Sequence, residues 1–113
     1  MNYLKKYGIT QEEILELKEI YNENIINFIS KNEIFISEKL KYLKNEGYII
    51  YPILKNNIRI FLEMMSVLKK KMTIMKEKGF SKKQIQMVLI DEKLYSNIKN
   101  WNYKKRRNII GGF

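Results

Sequence analysis

Lys104-Lys105-Arg106-Arg107 is the densest run of charge in this 113-residue chain, and Trp101 and Tyr103 stand just ahead of it. Cations beside aromatic rings can hold phosphates while the rings stack on bases, which is the chemistry of nucleic-acid contact. The same residues also fit a docked Trp101 followed by a solvated end, since a lone tryptophan buries most of its surface in the usual case. Past the run, Ile109, Ile110 and Phe113 make a short apolar handle that could dock on this chain or on another protein.

Two further lysine groups are candidates. Lys82 and Lys83 follow Ser81, a natural N-cap, and so fall in the first turn of a helix, where the macrodipole disfavours cations. Positive charge beside the free amides of that turn suits a phosphate. Lys69-Lys70-Lys71 is joined by Lys76 and Lys78. If 61–78 is one helix, Lys69 and Lys76 share a face, Lys70 points elsewhere, and Lys71 and Lys78 flank an apolar stripe. That spread also suits a solvated helix whose lysine stems cover hydrophobic neighbours. The candidate nucleic-acid contacts are therefore Lys69, Lys70, Lys76, Lys82, Lys83, Trp101, Tyr103, Lys104, Lys105, Arg106 and Arg107.

Catalytic chemistry is harder to assemble. The chain has no cysteine, no histidine and no alanine, with one proline and five glycines. Disulfide scaffolds, thiol catalysis, Cys/His zinc sites and histidine-based mechanisms are excluded. No Gly-rich phosphate loop, triad or paired-carboxylate site stands in the sequence. Glu12, Glu13, Glu16 and Glu19 line an early helix and read as solvated, and Asp91-Glu92 reads as a helix cap. The expectation is a non-enzymatic protein with no cofactor and no metal.

The charge sets the partner class. Twenty-two basic residues against twelve acidic ones give +10 and a pI near 9.7. Residues 1–50 carry a net −1, while residues 51–113 carry +11. The wealth of Ile, Lys and Asn points to an AT-rich genome, but that bias does not explain the asymmetry. A field of this kind attracts nucleic acid first, an anionic membrane second and an acidic protein third. The hydrophobic share of 45% excludes wholesale disorder. The longest apolar run is residues 48–54, far short of the roughly 20 a spanning helix needs, and no apolar stretch follows the N-terminal lysines. A soluble, cytoplasmic chain is expected.

The elements that must position these residues repeat. Tyr3-Leu4-Lys5-Lys6-Tyr7-Gly8, Tyr42-Leu43-Lys44-Asn45-Glu46-Gly47 and Ile74-Met75-Lys76-Glu77-Lys78-Gly79 align without gaps, and Ile14, Ile53 and Ile85 each follow six residues after the glycine. Each glycine should end a helix in the left-handed conformation, and each isoleucine should anchor the next helix in the core. Thr10 and Glu13 have capping-box spacing, and Pro52 suits a first turn. The pattern predicts helices over 11–20, 23–31, 33–46, 50–56, 58–78 with a break near 62, 82–90 and 92–99. Along 61–78, Phe61, Met64, Met65, Leu68, Met72 and Met75 fall within about 100° of arc, with Val67 and Ile74 as a second stripe. Those methionines and Met87 read as core filler. No segment alternates like a strand. The fold class expected is all-α: an array of about seven helices as one domain over 1–99, in units starting near residues 3, 42 and 74, with a basic, flexible tail at 100–113.

The apolar-Leu-Lys-x-x-Gly helix end, followed by short helices and recurring every 30 to 40 residues, resembles the mitochondrial transcription termination factor repeat in a short bacterial or phage-type version. The likeness covers residues 3–95 and is strongest over Leu43-Lys44-Asn45-Glu46-Gly47-Tyr48 and Met75-Lys76-Glu77-Lys78-Gly79-Phe80-Ser81. It implies a curved helical solenoid that binds nucleic acid through basic residues on its concave face. In that family a proline usually stands near the third helix of the unit; here Pro52 sits in the second. The leading expectation is a small nucleic-acid-binding helical-repeat protein. The alternative is a regulator or phage-type inhibitor that docks on an acidic protein or a nucleoprotein. A short array also leaves two ends through which copies could pair.

Overall fold

The computed structural model describes residues 1–98. Residues 99–113, with Trp101, Tyr103, Lys104, Lys105, Arg106 and Arg107, lie outside the described residues. An N-terminal 3-10 helix (Asn2–Tyr7) is followed by α1 (Gln11–Ile20), α2 (Glu23–Lys31), α3 (Glu33–Asn45), α4 (Ile50–Asn56), α5 (Arg59–Leu62), α6 (Met65–Glu77) and α7 (Lys82–Ile90). A further helix, α8, spans 92–98. The protein is all-α, and among the described residues there is no strand.

The three aligned segments have one local geometry. Gly8, Gly47 and Gly79 stand at φ +87°, +85° and +82°, a region that costs an L side chain strain. At each, the glycine amide donates to the carbonyl three residues back, and the next amide donates to the carbonyl five back: Ile9 to Leu4, Tyr48 to Leu43, Phe80 to Met75. This paired pattern satisfies carbonyls that the helix end would leave orphaned. Leu4, Leu43 and Met75 are fully buried, and so, within 2% exposure, are Ile14, Ile53 and Ile85. The second helix begins three residues after each glycine, at Gln11, Ile50 and Lys82. Thr10 with Glu13 and Ser81 with Gln84 form capping boxes. The middle unit has no capping side chain of its own. Gln86 of α7 serves instead, accepting from the Ile49 amide at 2.9 Å and donating to its carbonyl at 3.1 Å.

The chain thus divides into three units of three helices: the 3-10 helix with α1 and α2, then α3 with α4 and α5, then α6 with α7 and α8. Within each unit, the first helix pins the third through a buried donor. The Tyr3 hydroxyl donates to the Ile29 carbonyl at 2.6 Å, Lys39 Nζ to Phe61 at 3.3 Å, and Lys71 Nζ to Tyr95 at 3.1 Å. Lys39 and Lys71 each stand eight residues before their glycine, and their ammonium groups lie 3.1 Å and 4.0 Å from the ring centroids of Phe35 and Tyr95. Such contacts offset part of the cost of burying a cation.

Between units, α2 packs on α3, and equivalent helices also touch. The first helices touch in the order 3-10 helix, α3, α6, and the second helices in the order α1, α4, α7. The residue that ends the second helix reaches the end of the next one: Tyr21 donates to the Leu54 and Lys55 carbonyls at 2.6 and 2.8 Å, and Asn57 to Leu89 at 2.9 Å. Burial, with the Glu92 charge adding to it, pushes the Tyr21 phenol up to about 12. Tyr21→Phe keeps the ring and removes both bonds. We expect it to lower stability by about 1 kcal/mol, seen as a lower urea midpoint at unchanged slope.

The break expected near 62 is present: 58–78 is two helices, because Glu63 and Met64 are extended, with ψ 165° and 150°. The break releases the Phe61 carbonyl, which Lys39 then takes. Other expectations are corrected. The break turns Met64 out of the predicted stripe, leaving it 66% exposed, and Met87 is likewise outside the core at 61%. Lys71 does not flank the stripe but is buried. Glu16 is not simply solvated: it accepts from the Tyr51 hydroxyl and pairs with Lys55 at 3.3 Å, and these partners hold its carboxyl below the usual range. With α5 separate and the 3-10 helix added, the described residues hold more helices than the seven expected.

Candidate nucleic-acid interface

Because every unit turns at its glycine in the same way, the three turns and the helix ends around them share one edge of the molecule. Lys5 and Lys6 end the 3-10 helix, Lys44 ends α3 and Lys76 ends α6, each in the last turn where the macrodipole favours a cation. Lys44 and Lys76 both stand three residues before their glycine, and each reaches back to the preceding unit. Lys44 Nζ donates to the Lys6 carbonyl at 3.3 Å, and Lys76 Nζ meets the Glu46 carboxylate at 2.9 Å. That carboxylate raises the Lys76 ammonium above the ordinary lysine range. The pair is solvent-exposed, so it contributes little beyond aligning the two helix ends.

Lys82 extends the edge onto the second helix of the third unit. Its ammonium occupies the space a Cβ on Gly47 would take and lies 5.7 Å from the centroid of the Tyr48 ring. Lys83 is exposed beside it in the first turn of α7. The capping box of Ser81 and Gln84 engages the Ser81 and Gln84 amides, not those of Lys82 and Lys83. The equivalent positions in the first unit are Gln11 and Glu12, and in the second Ile50 and Tyr51, so only the third unit has cations at these two positions. Glu46 and Glu77 are the acidic side chains at the same helix ends.

Of the residues expected to bind nucleic acid, the fold gathers Lys76, Lys82 and Lys83 on this edge. Lys69 and Lys70 are exposed on the middle of α6 instead, where Lys69 faces a furrow against α3. The other six lie outside the described residues. Sequence reasoning missed Lys5, Lys6 and Lys44 as members of the edge. Their signal was present: lysine recurs three residues before each glycine, at Lys5, Lys44 and Lys76. Lys41 and Tyr42, which share the furrow with Lys69, had no such marker.

Among the described residues no three acidic side chains gather as metal ligands would, and no helix is long and apolar enough to cross a membrane. These features define an all-α protein of three glycine-ended units with a lysine-bearing edge. Compared with known proteins, the chain matches no family model, no curated protein and no solved structure.

Proposed function

We propose that this chain is a small, non-enzymatic nucleic-acid-binding protein, its three units forming a short solenoid-type array. The observation that carries the reading is that Lys5, Lys6, Lys44, Lys76, Lys82 and Lys83 stand at the helix ends around the three glycine turns, where Lys44 reaches Lys6, Lys76 reaches Glu46 and Lys82 reaches Gly47, because a phosphate backbone needs cations at successive positions along one surface. The charge of +11 in residues 51–113 supports the same reading, as does the resemblance of the unit to transcription termination factor repeats. Lys69, Lys70 and the run Lys104 to Arg107 add cations beyond the edge.

Fluorescence anisotropy of labelled DNA and RNA across a salt series tests it. With about six phosphates contacted on duplex DNA, the log–log slope of affinity against salt should be near −5. Replacing Lys82 and Lys83 with glutamine should reduce its magnitude by about 1.8. A slope near zero, or no binding at low salt, overturns the proposal and directs the search to an acidic protein partner.

A further inference from the structure

The furrow between α3 and α6 joins two of the three units. Glu38, Lys41, Tyr42 and Asn45 line it from α3, Met65 and Lys69 from α6, and its volume is about 240 Å³. Lys41 and Lys69 are exposed on opposite banks, while Tyr42 and Met65 are half-buried between them. Tyr42 also feels the charges of Glu46 and Lys76 at the helix ends. A larger hollow at the α2–α3 junction, about 690 Å³, sets Glu33 and Glu38 against Lys31 alone and does not suit an anion.

Packed helices lie about 8–10 Å apart, so a furrow between two of them admits a flat ring but not a duplex. We propose that this furrow seats an unpaired base of a single-stranded nucleic acid on the face of Tyr42, with the flanking phosphates held by Lys41 and Lys69. The inference rests on the nucleic-acid reading and narrows it to single strands. The residue types fit each part of that ligand. An aromatic ring stacks on any base, and a thioether supplies an adaptable apolar wall. The Asn45 amide offers a donor and an acceptor to a base edge, and the Glu38 carboxylate can accept from an exocyclic amine. Lys76, on the same face of α6 as Lys69, continues the positive charge toward the end of the helix.

The test uses the full chain with a labelled oligothymidylate and a duplex of equal length, at low and high salt. Tyr42→Leu should weaken single-strand binding about 5- to 100-fold, with the salt slope unchanged. Tyr42→Phe should bind as the parent does, because it keeps the ring. The pair Lys41→Gln and Lys69→Gln, both at exposed positions, should reduce the single-strand slope by about 1.4. Circular dichroism and the urea midpoint establish that each variant is folded. If folded Tyr42→Leu binds single strands as tightly as the parent, or if the parent prefers the duplex, the furrow proposal is overturned and the nucleic-acid reading stands. If the parent binds neither ligand at low salt, both fall together.

Discussion

Leu43→Ala should destabilise the protein by about 2–5 kcal/mol, a large part of the roughly 5–15 kcal/mol that holds a domain of this size together. Leu43 is fully buried, and its carbonyl receives the Tyr48 amide that closes the glycine turn. Its helix, α3, packs on the 3-10 helix, α2, α4, α5 and α6, so little of the surroundings is free to collapse into the space left behind. The aligned residue in the first unit, Leu4, is buried as completely but belongs to a helix with a neighbouring unit on one side only. Leu4→Ala should therefore cost less than Leu43→Ala, although the deleted atoms are the same. Urea denaturation followed by circular dichroism measures both. Equal and small losses would contradict a core that runs through all three units.

Stability should also rise with pH from about 8 to 10 and fall beyond it. Burial holds the Lys39 ammonium down at about 8, against its ordinary 10.5, with Glu38 and Glu63 opposing the shift. Below about pH 8 the group is protonated in both states, and the folded state carries the cost of a buried charge. Between that point and 10.5 the unfolded chain still holds a proton that the folded chain has released. Unfolding then takes up a proton, so raising the pH favours the folded state, by about 3 kcal/mol over the full interval for this group alone. The tyrosines act in the other direction. Burial keeps the phenols of Tyr3 and Tyr95 protonated well above their usual 10, and Tyr51 is raised by burial together with its bond to Glu16. Above pH 10 or so, unfolding releases their protons, and stability declines. A maximum near pH 10 is the expected result of urea midpoints measured from pH 7 to 11. Lys39→Met, similar in length and uncharged, should abolish the rise and keep the decline. A rise that survives in Lys39→Met would assign it to another group.

The three glycine turns were legible because their geometry is local. A glycine at positive φ, the apolar residue four positions before it, the lysine three before it and the isoleucine six after it are set by short-range backbone sterics and helical periodicity. Helices over 11–20, 23–31, 50–56 and 82–90 follow from the same rules and from caps such as Thr10 and Ser81. The lysines on the glycine edge could be named from the sequence one at a time. That Lys44 lies against Lys6, and Lys82 over Tyr48, depends on units 32 to 39 residues apart being stacked.

What periodicity could not decide is what happens where helices meet. Phe61 and Leu68 share a stripe on paper with a break expected near 62, but only the fold shows that the two extended residues there free the Phe61 carbonyl for Lys39. Lys39 and Lys71 look like solvated lysines in any local window. Only the third helix of each unit, folding back with a carbonyl to accept the ammonium, takes them inside. The sequence by itself determined the helices, their glycine ends and the basic second half, since each depends on neighbours a few residues away. The tertiary structure alone decided which lysines are buried, which pair and which remain exposed, because burial and partnership are set by distant segments.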